Sequence, residues 1–199
     1  MKKFDMLKIT VITLSLILIL IPIYTYGAGR WEQIDGEATD IGVGADGSVW
    51  VIGGSKTEIN DGYGIYRLSV RGWEQIDKDG GAIRIDVDPS GNPWVVDKNE
   101  NIFRRSGDEW EQIDGEATDI GIGGEGSVWI VGTEPRFGGY VIYRWDGRNW
   151  EIVSDDGAVQ ISVDNRGAPW VLNSEEYIYV WKSFNWKSIQ EYFGIIFKR

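Results

Sequence analysis

Asp40 and Asp119 hold matching places in two near-identical stretches of the chain, and a pair of carboxylates is the basic equipment for hydrolysing a glycosidic bond. A second acidic set, Asp46, Asp88, Asp164 and Glu125, falls at tight turns, with Asp86 just before one, and clustered carboxylates are what Ca²⁺ requires. Both readings have plainer rivals. Asp40 and Asp119 recur with their unit and nothing sets a separation between them, so a structural hydrogen bond explains them. An Asp at a turn bonds its own backbone, and the chain contains no EF-hand loop or glycine-rich nonapeptide. It also contains no Cys and no His. That excludes thiol nucleophiles, disulfides, Cys/His zinc sites and a Ser-His-Asp triad. The expectation is a protein that binds rather than catalyses, with no catalytic residue, metal or cofactor.

Aromatic rings beside polar groups carry a sharper signal. A sugar needs a flat ring for its C–H face and hydrogen-bonding groups for its hydroxyls. Two long loops, 54–63 and 132–140, offer that mixture in Lys56, Asn60, Asp61, Tyr63, Glu134, Arg136, Phe137 and Tyr140. Loops on a rigid scaffold commonly carry function, although variable loops are also ordinary. Trp145 and Trp181 occur at strand ends in only two of the repeats described next, so they too are candidates. The nine Trp at 31, 50, 73, 94, 110, 129, 150, 170 and 186 recur with the repeat, which makes them packing residues.

The elements that must hold these groups are legible as repeats. Trp31–Gly53 and Trp110–Gly132 share 18 of 23 positions, so the stretch is a structural unit rather than a chance match. Units open at Trp31, Trp73, Trp110 and Trp150, with a fifth start at Trp186. Long and short units alternate, and 81–96 matches 157–172, as expected of a duplicated two-unit block. Each unit alternates with period two, as in Ile41 and Val43 or Ile83, Ile85 and Val87, which means strand. A glycine turn follows at 45–47, 89–91, 125–126 and 165–167, then a strand centred on Trp50, Trp94, Trp129 or Trp170. A third strand carries Ile65-Tyr66-Arg67 or its counterparts at Ile102, Ile142 and Ile178, and a fourth opens with the next Trp. The pattern predicts an all-β fold: a β-propeller of about four four-stranded antiparallel blades, near 38–77, 81–114, 117–154 and 158–190. Such sheets cannot bury both faces alone, so they need one another.

Ahead of the repeats, Lys2, Lys3 and Lys8 precede an apolar run from Ile9 to Ile23, and small residues follow at Gly27, Ala28 and Gly29. This predicts a signal peptide over 1–29, cut after Gly27 or Ala28 and leaving 30–199 as the domain, or an N-terminal membrane anchor where it is not cut. Either way the expectation is a secreted or cell-surface protein. The net charge of −11 argues against a nucleic-acid partner.

The unit W-x-x-I-x-G-x-A-x-D-I-x-V-G-x-x-G-x-V-W, followed by I-Y-R and the next W, resembles the tectonin repeat of tachylectin-type lectins. The resemblance runs from Trp31 to about Ile189; the second and fourth units lack the Asp-Ile pair and carry Pro93 and Pro169 before the Trp. It implies a propeller that recognises carbohydrate or lipid headgroups without catalysis. Extracellular sensor propellers of two-component systems share the D-x-x-G-x-x-W-V pattern. Four blades are few for the tectonin family, and five Trp-led outer segments serve them, so the ring either closes with a segment left over or stays open. An open array leaves an edge for a second chain. The expected function is therefore glycan binding, with an oligomerising protein-interaction scaffold or sensor-type propeller as the alternative.

Overall fold

A computed structural model describes residues 30–56 and 62–182. The expected signal segment, Asn60, Asp61 and the Trp186 strand lie outside them. Residues from Gly36 onward make one compact unit, and residues 30–35 carry no strand.

Fourteen strands follow, and no helix occurs among the described residues. The first blade holds β1 (Ala38–Val43), β2 (Val49–Gly53), β3 (Tyr63–Ser69) and the start of β4 (Gly72–Val87). The second takes the end of β4 with β5 (Pro93–Asp97), β6 (Asn101–Ser106) and β7 (Glu109–Glu116). The third is β8 (Asp119–Ile122), β9 (Val128–Arg136), β10 (Gly139–Trp145) and β11 (Trp150–Ala158). The last described strands are β12 (Gln160–Val163), β13 (Pro169–Leu172) and β14 (Ile178–Val180). All neighbouring strands pair antiparallel.

The expected break between the first two blades is not a break. β4 runs through it, joining seven strands in one hydrogen-bonded sheet. Register shifts at Tyr63, Ile65 and Tyr66 mark a bulge that lets one strand leave the outside of one blade and enter the inside of the next. Between the first and second strands of every blade the chain turns on Gly47, Gly91, Gly126 or Gly167, with φ between +83° and +98°. A side chain at that backbone angle would be strained.

Three apolar clusters sit between blades rather than within them. Trp50, Ile52 and Ile65 meet Ile85 and Val87 of the second blade. Trp94, Val96 and Ile102 meet Ile120 and Ile122 of the third, and Trp129, Val131 and Ile142 meet Ile161 of the last. The I-Y-R motif caps each Trp from the opposite side. Arg67, Arg104 and Arg144 stand 5.4–5.6 Å over Trp50, Trp94 and Trp129, a cation–π contact set by cross-strand register.

Trp170 departs from the packing reading and is exposed, as is Trp31. The residue paired with Trp170 is Val180, where the other blades have Arg, so the guanidinium cover is missing.

Candidate functional site

The segment 132–140 is not a loop. β9 and β10 extend through it as a hairpin, Arg136 pairing with Gly139 and Pro135 with Tyr140, and only Phe137 and Gly138 turn. Pro135 is tolerated there because it sits at the hairpin's end. Two bonds tie the tip to its surroundings: Gly157 N–H donates to the Phe137 carbonyl at 2.8 Å, and Ser174 N–H to the Gly138 carbonyl at 2.8 Å. The tip is therefore held, and it presents the Phe137 ring largely to solvent. Arg136 Nη1 donates to Glu134 Oε1 at 2.7 Å, and Tyr143 Oη reaches Glu134 Oε2 at 3.5 Å. Burial, then the Glu134 carboxylate, pushes the Tyr143 phenol above its ordinary pKa.

The candidates fall into two groups. On the first blade, Lys56 Nζ lies 5.7 Å from the Tyr63 ring centroid. On the third are Glu134, Arg136, Phe137 and Tyr140. Trp145 packs edge-on to Trp94 with ring centroids 6.2 Å apart and against Trp150 at 4.9 Å, within the junction of the second and third blades. Its register opposite Trp150 folds it over that junction, where it is half-buried. Trp181 lines a cavity and remains partly exposed.

The hairpin stands between two recesses. On one side is a polar cleft of about 520 Å³ between the second and third blades. Asn101, Gln112, Glu116 and Thr133 surround it, with the rings of Trp150 and Tyr143 in its wall. Gln112 Nε2 donates to Asn101 Oδ1 at 3.3 Å and Thr133 Oγ1 to Glu116 Oε2 at 3.0 Å, so its polar groups already face one another. The sequence reading missed these residues. They sit on strands of two different blades, and the outer-strand Gln recurs as Gln33, Gln75 and Gln112, which disguises it as architecture.

On the other side is an apolar cavity of about 260 Å³ lined by Phe137, Val153, Ser154, Tyr179 and Trp181. Its aromatic lining invites a ligand, but the repeat explains it. At the preceding junction Trp150 Nε1 donates to the Asp114 carbonyl at 2.8 Å and lies against Gly115. At the start of the array, Trp73 lies against Gly36 in the same way. Ser154 is the counterpart of Asp114, so the cavity is another copy of a tryptophan socket.

The inner strands carry the acidic residues. Asp40 Oδ2 accepts from Ile85 N–H at 3.0 Å, Asp86 Oδ2 from Ile122 N–H at 2.7 Å and Asp119 Oδ2 from Ile161 N–H at 2.8 Å. Each carboxylate thus latches its blade to the next, and Arg84 Nε lies 3.3 Å from Asp119 Oδ1. Asp86 is pushed up to about 6 by burial, reinforced by the charges of Asp40 and Asp119. Burial also raises Asp119, against Arg84. Asp86 is on the inner strand, just before the turn, and aligning the units sets it level with Gly42, Gly121 and Ser162. The turn carboxylates bond their own loops. Asp46, Asp88 and Asp164 accept from the amides of Ser48, Ser90 and Arg166 at 2.8–3.0 Å.

Antiparallel sheets that lean on one another through a recurring Trp, with polar recesses between them, define a propeller-type repeat protein. The profile of the Tectonin domain matches residues 54–137, which supports a tectonin-repeat assignment for that stretch of the array. No curated protein matches the chain. Among solved structures, it is similar to YCF48 bound to D1 peptide, with 16% identity and a TM-score of 0.48 over 78% of this chain and 53% of that one. It is also similar to a streptogramin B lyase structure, with 16% identity and a TM-score of 0.44 over 78% of this chain and 58% of that one. The chain thus spans little more than half the length of either structure.

Proposed function

We propose that this chain is an exported, noncatalytic glycan-recognition protein, acting at the cell surface or outside the cell on an array of four propeller blades. One observation carries the reading. The cleft between the second and third blades sets the amides of Asn101 and Gln112 and the carboxylate of Glu116 beside the rings of Trp150 and Tyr143. Planar amides and carboxylates read sugar hydroxyls in pairs, and an aromatic ring takes the C–H face. The hairpin bearing Glu134, Arg136 and Phe137 borders the cleft and widens the surface available to a branched glycan. The carboxylates of the inner strands are committed to backbone amides, which leaves them as latches rather than acid and base.

The test is a glycan array probed with the whole chain. Binding to at least one glycan is expected, with Gln112→Ala and Glu116→Ala each weakening it about tenfold, the loss of one hydrogen bond in a partly dry site. Tyr63→Ala and Tyr140→Ala report whether the first-blade loop and the hairpin take part. An array that stays flat at high protein concentration overturns the proposal. A second reading, a protein-interaction scaffold, draws on the uncovered faces at the ends of the array.

A further inference from the structure

The three junctions between blades share one construction. The Trp and Ile or Val of the second strand press on two apolar residues of the next blade's inner strand, and an inner-strand carboxylate takes that strand's amide. On the receiving side Ile85, Ile120 and Ile161 are 3–5% exposed, and on the giving side Trp50, Trp94 and Trp129 are 2–3% exposed. Among the described residues one face of each kind is uncovered. Ile41 and Val43, the receiving residues of the first blade, are 59% and 58% exposed, and Trp170, the giving residue of the last, is 47% exposed. The polar half of the junction is also available. Gln160 and Ser162 stand where Asp119 or Asp40 and Asp86 stand in the other blades, and both side chains can accept an amide hydrogen.

We propose that these two faces pair with each other between two copies of this chain. A giving face meeting a receiving face is a head-to-tail contact, which ends only when rotation closes it. In a single copy closed on itself, Ile41 and Trp170 would be as buried as their counterparts, yet both stand open. The partner that matches both faces at once is a second copy, because this chain already makes the same contact with itself three times.

A disulfide across the proposed junction tests it. A Cβ on Gly42 would lie 2.8 Å from Val87 Cγ2, and one on Gly121 3.1 Å from Val163 Cγ2. Ser162 and Val43 hold the corresponding places at the two ends. The chain has no Cys, so in the full chain carrying Val43→Cys and Ser162→Cys only that pair can bond. Oxidation is expected to give a covalent species of twice the 22.5-kDa chain mass, and native mass spectrometry of the unaltered chain the same doubling. Ile41→Asp and Trp170→Asp are each expected to weaken the dimer at least tenfold. Mixing those two variants restores one sound junction, and with it a dimer. An internal disulfide at monomer mass means the ring closes on itself and overturns the proposal. So does an unaltered chain that stays monomeric, or a dimer in which the two cysteines never bond, since its contact then lies elsewhere.

Discussion

At the scale of single residues, like groups are set apart by their surroundings, first among the aspartates and then in a pair of tryptophans. Asp86 has an ordinary value of 3.8 and a folded value of about 6, raised first by burial and then by Asp40 and Asp119. A carboxyl whose pKa rises on folding adds stability that is whole below pH 3.8 and lost as pH climbs through 6. Asp119 moves in the same direction, with Arg84 opposing. Asp46, Asp146 and Asp164 move the other way, their carboxylates held by turn hydrogen bonds, so their share is lost only in more acidic solution. The fold is expected to gain on the order of 3 kcal/mol from Asp86 between pH 7 and pH 4. Denaturant titrations across that range check it. Asp86→Asn keeps an acceptor for Ile122 N–H and should flatten the curve while raising stability at pH 7; an unchanged slope would show that another group sets it. The tryptophans divide in the same manner. Trp150 Nε1 donates to the Asp114 carbonyl, whereas buried Trp110 Nε1 finds no partner among the described residues. Trp150→Phe should cost about 1 kcal/mol more than Trp110→Phe, because only the first abandons a made hydrogen bond. Urea midpoints of the two variants measure the difference.

At the scale of the elements, the strands and turns were legible because their signals are local. Period two in Ile83, Ile85 and Val87, a positive-φ glycine after it and a Trp after that settle each inner hairpin from sequence alone. What was not legible depends on partners. Residues 132–140 read as a loop because Pro135 and three glycines interrupt the pattern, yet cross-strand pairing carries β9 and β10 nearly to the tip. Trp145 read as free because it does not recur, but it packs on Trp94 of the preceding blade as well as on Trp150 of its own hairpin. The cleft was invisible for the same reason: Asn101 and Gln112 belong to one blade and Thr133 to the next. The last blade shows how one residue decides an element's finish. Val180 opposite Trp170 replaces the Arg that covers Trp50, Trp94 and Trp129. Val180→Arg should therefore restore the stack and raise stability by about 0.5–1 kcal/mol. Thermal unfolding reads it, and Arg67→Ala, which strips the cover from Trp50, should lower stability by a similar amount.

At the scale of the whole molecule, the repeat makes stability and recognition separable. Each blade leans only on its neighbours, so the junctions hold the array while the recesses between them are left to differ. A second copy would not alter the cleft between the second and third blades, which lies wholly within one chain. It would double the clefts and fix the distance between them. Linked sites turn the second binding event into an intramolecular one and can strengthen attachment to a dense surface by about 10²-fold or more without a new contact. Ile41→Asp is therefore expected to weaken binding to a glycan-coated surface by about that factor and to leave affinity for the same glycan free in solution unchanged. Surface plasmon resonance at high and low glycan density, beside calorimetry with the soluble sugar, separates the two quantities. Equal losses in both would mean that the substitution damages the cleft itself. No loss in either would mean that each chain meets its surface alone.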